Sequence, residues 1–391
     1  MDTQNTPIHI SLWHADFWIL AIANLLITMS VYMLIPVLPV WMFSVAGLSQ
    51  HEVGIVMGAY GIGLFVFGGF CNWYVQRYRR NRVCLWAMVG VFFALLGCWF
   101  VENEMQQSWL QYRLLLFLRI VLGATFGLVQ MVLSSTLIID KSESFQRTEA
   151  NHASAWFGRF ALSLGPMLGI VFARTTFSPL LASSILALAA FILLAMVKFP
   201  FRTPEDGVKR FSGDRFFLPE AKWLFVNLFL ICLSVGLLMS TQFTAMFYAM
   251  VMVGFCVALL AERFAFVDAD LRSQVVAGSI LIAIALVMIL TRKQMIVNYI
   301  SPVLVGLGVG LIGSRFLLFF IKLSKHCQRG TAVSTYMLSW ESGLATGLFV
   351  GYFFFADQIR LALSASLACI MLAFALYVLF THKWYIKKKN R

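Results

Sequence analysis

The sequence predicts an all-α polytopic membrane protein, with twelve transmembrane helices arranged as two pseudo-symmetric six-helix bundles. Three observations predict it. The 391 residues are 61% apolar and 12% charged, with a mean hydropathy of +0.84, whereas a soluble domain carries about a quarter charged residues. Apolar runs of spanning length recur along the whole chain, and a polar-punctuated stretch of the first half returns in the second.

A hydrocarbon core about 30 Å thick takes about 20 apolar residues per helix. Runs of that kind fall at 16–42, 52–76, 81–101, 110–140, 148–174 and 178–198, then at 221–241, 243–263, 275–291, 295–322, 329–356 and 358–382. The weakest break is the polar seam at Thr241 and Gln242, but one helix over 221–263 would far exceed what a bilayer accommodates. No length remains for a soluble catalytic domain. The hydrophilic connection FPFRTPEDGVKRFSGDRFFLPE (199–220) follows the sixth span and carries three Pro and two Gly. It divides the chain into bundles at 1–198 and 221–391.

The net charge of +13 comes from 30 Lys and Arg against 17 Asp and Glu. Their distribution explains it. Of the 30, 22 lie in loops on the side of the C-terminus and five in the opposite loops, leaving Arg119, Arg159 and Arg315 inside spans. The positive-inside rule therefore places both termini in the cytoplasm, and the cations face anionic headgroups rather than nucleic acid. The N-terminus lacks the basic region of a signal peptide, so the first run is expected to be a retained span. The seven cysteines form no C-x-x-C pair and read as small hydrophobes, so no disulfide, metal or cofactor is expected.

Sliding the chain so that Gln146 meets Gln328 also aligns Arg147 with Arg329, Gly165 with Gly347 and Gly169 with Gly351. In the same register Arg159 falls on Glu341. Each stretch begins the fifth helix of its half, and such parallel repeats enclose a substrate site near the bilayer midplane. At 1.5 Å per residue both charges lie roughly 16 Å from the cytoplasmic boundary. A charge at that depth costs at least about 2.5 kcal/mol on insertion scales, so it faces a partner or a water-filled cavity. Two readings stand: a substrate pathway, favoured by depth, or a structural role in which Arg159 and Glu341 form an ion pair or are separately satisfied by carbonyls and waters.

Other polar positions follow. Arg119 opens R-x-x-x-G-x-x-x-G through Gly123 and Gly127, with Gln130 on the same face; at about 14 Å from its span's start it is placed in the cavity rather than at the interface. Arg315, about 10 Å from Lys322, is expected to snorkel. Asn24, Thr28 and Tyr32 recur every four residues before Pro36 and Pro39, marking a polar stripe on a helix that bends. Asn227, Ser234 and Thr241 recur every seven. Such stripes serve interhelical hydrogen bonds more often than ligands. Trp156 and Trp340 flank the midplane charges and either stack on a substrate or pack as core. His152 shares a face with Arg159.

No H-E-x-x-H, G-x-S-x-G or Walker A motif occurs, so neither hydrolysis nor ATP-driven transport has its chemistry, and no enzyme is expected. With this pattern the chain resembles the major facilitator superfamily over its full length. NWYVQRYRRNRV (72–83) is similar to motif A of that family, with Arg77, Arg80 and Arg82 matching its cations, Gln76 standing for its acid, and Asn72 and Arg79 for its glycines. Glu262 and Arg263 keep an acid and a base at the corresponding place of the second half. Arg119 with Gly123 resembles motif B, which the family links to proton coupling. Gly165, Pro166 and Gly169 resemble the G-P-x-x-G core of motif C, associated with antiporters.

The resemblance implies gating roles for Arg77, Arg80, Gly165, Pro166, Gly169, Glu262 and Arg263. It implies a binding site drawn from Asn24, Tyr32, Arg119, Gln130, Trp156, Arg159, Asn227, Trp340 and Glu341, with Glu341 and Arg119 coupling protons. The expected function is proton-coupled efflux of a small amphiphilic or anionic solute. The alternatives are uptake of an organic anion and a non-transporting membrane sensor or lipid-handling protein. A monomer in a plasma membrane, the inner membrane of a bacterium, is expected, with solute, protons or another ion, and lipid as its partners.

Overall fold

The computed structural model describes residues 12–105, 107–143, 145–199, 207–267, 269–292 and 294–389, apart from the side chain of His326. The N-terminal residues on which the signal-peptide reading rests, part of the linker (200–206), Arg202, Lys293 and Arg391 lie outside them. The twelve spans are α1 Ala15–Ser44, α2 Gln50–Arg77, α3 Arg80–Glu104, α4 Ser108–Asp140, α5 Arg147–Phe172, α6 Pro179–Met196, α7 Pro219–Met239, α8 Ala245–Phe264, α9 Ser273–Thr291, α10 Val297–Leu323, α11 Arg329–Phe355 and α12 Ile359–Lys389. Eleven are long and apolar enough to cross a membrane. The exception, α11, is 27 residues long, and Ser334, Thr335, Ser339, Glu341 and Ser342 lower its hydropathy.

The breaks have local causes. α1 divides at Met33 into Ala15–Tyr32 and Leu34–Ser44; Pro36 has no N–H for the Tyr32 carbonyl, so the ladder cannot continue. α2 begins with a capping box, Ser49 donating its backbone N–H to Glu52 Oε2 at 2.9 Å and accepting from the Glu52 N–H. It loosens after Gly63 and resumes at Cys71–Arg77. α7 and α8 are separated where the polar seam predicts, with Gln242 at φ 54° and Thr244 capping α8 through the Phe247 N–H.

The repeat is visible as packing. In the first bundle the fifth helix crosses the first on glycines: a Cβ at Gly165 would stand 2.9 Å from the Met29 carbonyl oxygen, and one at Gly169 would stand 2.7 Å from that of Met33. In the second bundle the aligned Gly347 presses on α7 at Leu233 and Gly236. α2 and α4 meet likewise at Gly63 and Gly123, as α8 and α10 do at Gly254 and Gly306. Small residues let the backbones touch, which is how helices associate in lipid without a hydrophobic drive between them.

The two bundles close on each other at both ends. On the side away from the linker, Gly54, Gly58 and Gly61 of α2 receive Phe353, Phe349 and Ala345 of α11, and Ser163 of α5 donates to the Tyr248 carbonyl of α8 at 2.6 Å. On the linker side His152 of α5 lies 3.4 Å from Glu262 of α8, and Phe216 and Phe211 of the linker cover Gly68 and Gly69 of α2. The sequence reading expected the midplane charges to face a partner or a water-filled cavity. In the structure both rims are in contact and the charges face protein partners.

Candidate functional site

Three buried charges and their neutral partners occupy the seam between the bundles. Glu341 of α11 is 2% exposed and accepts hydrogen bonds from the phenols of Tyr32 on α1 and Tyr60 on α2, the latter at 2.9 Å. Arg119 of α4 is 3% exposed; its Nε and Nη2 donate to the carbonyls of Val56 and Met57 at 3.5 and 3.3 Å, and its guanidinium lies 5.2 Å from the Tyr60 ring. Arg159 of α5, 2% exposed, donates from Nη1 to Ser314 Oγ at 2.6 Å and to the Gly310 carbonyl at 3.4 Å, both on α10, and stacks 4.3 Å from the Trp156 ring.

Arg159 and Glu341 are therefore not a pair. Each reaches across the seam to uncharged groups of the opposite bundle, which excludes the ion pair here and matches the structural reading in which the two charges are satisfied separately. No described side chain accepts from Arg159 Nε or Nη2, or from Trp156 Nε1. The three donors sit together among aromatic rings, with Phe160 and Phe255 against Trp156, and Trp340 6.3 Å from the Tyr336 ring. Gly310 and Gly313 make room for this group: a Cβ at Gly313 would stand 3.0 Å from Arg159 Nε and 3.3 Å from Trp340.

The polar stripe of α1 belongs to a network inside the first bundle. Asn24 donates to the Ser154 carbonyl at 3.1 Å, Gln130 donates to Asn24 Oδ1 at 3.2 Å and to Thr28 at 2.9 Å, and Ser134 donates to Gln130 at 3.1 Å. It adjoins Glu341 through a cavity of about 10 Å³ lined by both Gln130 and Glu341. A second cavity of about 10 Å³ lies between Tyr32, Tyr60 and Arg119. Each has about the size needed for a single water and no organic solute.

Other expected residues stand elsewhere. Asn227 donates to the Ala373 carbonyl of α12 at 3.0 Å, and Ser234 bonds Ser366, so the α7 stripe ties two helices of one bundle and does not meet the central charges. Arg315 is half-buried, and its Nε donates to Gln274 of α9 at 2.8 Å. Of the motif A residues, Arg80 bonds Asp140 at 3.0 Å, tying the start of α3 to the end of α4, and Arg77 closes α2. Glu262 reaches across the bundles, whereas Arg263 lies along Phe264, 5.9 Å from its ring. Gly165 and Gly169 flank Pro166 on the face of α5 that meets α1. Sequence reasoning missed Tyr60. Its signal was a single hydroxyl aromatic in a glycine-rich run, GAYGIG.

The sequence profile of the Major Facilitator Superfamily matches residues 20–348. The chain belongs to this superfamily. No curated relative matches it by sequence. Solved transporters of the superfamily share its fold: the human organic anion transporter MFSD10 (TETRAN), at 15% identity over 92% of this chain and 98% of that one, with a TM-score of 0.69; the xylose transporter XylE of E. coli in a partially occluded inward-open form, at 13% over 93% and 97%, TM-score 0.70; and a bacterial homologue of the iron transporter ferroportin, inward-facing, at 15% over 95% and 98%, TM-score 0.66. Superfamily members are multi-pass membrane transporters of small molecules, and the twelve helices in two bundles are those of that fold. The substrates of these neighbours differ, so the likeness carries the fold and not the solute.

Proposed function

We propose that the chain is a proton-coupled secondary transporter that exports a small amphiphilic organic anion by alternating access. One observation carries the reading: two arginines and one glutamate are buried at the seam, and their hydrogen bonds among the described residues all go to uncharged groups. Buried charges are costly and are retained where a pathway needs them. The donors of Arg159 and Trp156 that lack an acceptor suit the oxygens of a carboxylate, sulfonate or phosphate, and the surrounding rings suit an apolar body. Glu341 is the acid of the cluster among the described residues and serves as the proton site. Rocking the bundles apart breaks its phenol bonds and the Arg159–Ser314 bond together, and the solute's anionic group replaces the neutral partners of Arg159.

Export is favoured by the G-P-x-x-G segment at Gly165, Pro166 and Gly169, which resembles that of antiporters. The proposal includes a monomer in a plasma membrane, with residues 1–198 and 221–391 moving as two bodies about a cytoplasmic linker and both termini cytoplasmic. The test is flux of labelled aromatic carboxylates in proteoliposomes carrying a pH gradient. Glu341→Gln is expected to abolish gradient-driven flux while leaving solute exchange without a gradient. PH-driven flux unchanged in Glu341→Gln removes Glu341 from the mechanism, and a wild type that drives only accumulation reverses the direction.

A further inference from the structure

α2 loses its regular ladder after Gly63 and regains it at Cys71, through the stretch LFVFGGF (64–70). The break places two adjacent glycines, Gly68 and Gly69, on the linker side of the first bundle, and the linker docks into it. Ser212 donates its backbone N–H to the Gly69 carbonyl at 2.8 Å. A Cβ at Gly68 would overlap the Phe216 ring, and one at Gly69 the Phe211 ring. Phe216 also meets Phe65 edge to face at 6.0 Å, and Phe211 meets Phe70 in the same way at 5.6 Å.

The same segment is held from the other side. Arg215 donates its backbone N–H to Thr331 Oγ1 at 3.0 Å, and Leu218 donates its own to Thr335 Oγ1 at 2.8 Å. Both threonines are buried and stand one turn apart on α11. Thr335 spends its hydroxyl proton on the Thr331 carbonyl at 2.7 Å, so its oxygen is left to accept from the linker. Leu218 is buried, and Phe217 packs at 5.4 Å on Phe225 of α7. The segment is thus anchored on the second bundle and reaches the first through Phe211, Ser212 and Phe216.

A connector that only joins α6 to α7 would run over the surface with its N–H groups in water. Here three N–H groups at every third residue go to protein acceptors, one on the first bundle and two on the second. Between them Arg215 takes φ 61°, a backbone region unfavourable for a residue with a Cβ and kept only where the surroundings dictate it. On the opposite side the bundles meet through α2 on α11 and α5 on α8, so the linker bears on one rim.

We propose that residues 211–218 are a latch: carried by the second bundle on Thr331 and Thr335, they dock into the break of α2 and hold the linker side shut, and that side opens when they let go. The latch rests on the rocking of the bundles proposed above, and on neither the solute nor the proton.

Double electron–electron resonance on the full-length protein in nanodiscs tests it, with spin labels at Phe145 and Phe264 for the linker side and at Val45 and Met295 for the opposite side. Phe216→Ala is expected to raise the long-distance population of the linker-side pair about tenfold and to leave that of the opposite pair unchanged. Thr331→Val keeps the side-chain shape and removes the acceptor of the Arg215 N–H, so a rise of about fivefold is expected. It carries the test should Phe216→Ala lose its melting transition. Tyr60→Phe, at the central seam, is the reference for rocking itself. Linker-side distances unchanged in both latch variants, while Tyr60→Phe shows opening, overturn the latch and leave the rocking in place. Equal increases on both sides also overturn it, since the segment would then stabilise the closed form without governing one rim. One unchanging distance distribution in every variant, Tyr60→Phe included, overturns the rocking and the latch with it.

Discussion

The hydrogen bonds of Glu341 cross the seam: the acceptor is on α11 of the second bundle, and the donors Tyr32 and Tyr60 are on α1 and α2 of the first. Their loss therefore falls on the closed form and not on either bundle alone. Tyr60→Phe removes one 2.9 Å bond to a buried carboxylate and keeps the ring over which Arg119 lies. A hydrogen bond to a charged group contributes about 1.5–3 kcal/mol, so a value near 2 kcal/mol shifts the closed-to-open equilibrium by roughly 30-fold. Spin labels at the exposed Phe145 and Phe264 report the linker side, and labels at Val45 and Met295 the opposite side. Double electron–electron resonance should show a new long-distance population on at least one side in Tyr60→Phe. In the Glu341→Gln background, adding Tyr60→Phe should have a much smaller effect, because the charged acceptor is gone. A change of less than threefold in a folded Tyr60→Phe protein would refute the argument that these bonds hold the bundles together.

Three further expectations follow from the packing. Gly123→Ala places a Cβ against the Tyr60 carbonyl, a backbone obstacle that cannot rotate away, so a loss of about 1–3 kcal/mol is expected; thermal unfolding checks it against Gly158→Ala, whose Cβ meets only Asn24 Nδ2 at 3.9 Å. His152→Ala removes a partly exposed cross-bundle contact to Glu262, with side chains 28% and 13% exposed. A contact of that kind contributes about 0.5–1 kcal/mol, so maleimide labelling of a cysteine placed at Asn151 should quicken roughly two- to fivefold. Asn227→Ala should lower thermal stability by about 0.6–1 kcal/mol, the usual worth of an interhelical bond in lipid, and leave solute affinity unchanged, since its partner is Ala373 of α12.

What was legible in the sequence was what depends on local pattern. Pro36 announces the break of α1 because a missing N–H acts within one turn. Thr241 and Gln242 announce the turn between α7 and α8 because a bilayer limits helix length. The repeated glycines at 165 and 347 announce the crossings of α5 on α1 and α11 on α7 because only a missing Cβ allows the approach. That Arg159 and Glu341 would be buried was likewise a matter of counting residues from the span ends. Which helix each would face was not, since the pairing of neighbours is set by the docking of whole bundles. Arg315 shows the same limit: counting from Lys322 suggested a side chain that reaches toward the interface, and nothing in the count foretold the contact of its Nε with Gln274 on the adjoining α9.

The separation of Arg159 from Glu341 also bears on how a carrier of this design would cycle. Two opposite charges locked together at midplane would stabilise the closed form by an interaction that a solute must first defeat. Here each charge is held by groups that bond without neutralising it: two phenols for the carboxylate, and a serine and a carbonyl for Arg159. Such bonds to uncharged partners are strong enough to hold the seam shut, yet they leave the charge itself uncompensated. In the proposed cycle an incoming anion would gain from Arg159 what Ser314 does not supply, and a proton on Glu341 would discharge what Tyr32 and Tyr60 only solvate. Under that proposal opening would be coupled to the arrival of ligands through differential contacts rather than through the breaking of a salt bridge, and differential contact is the condition for a ligand to shift a conformational equilibrium at all.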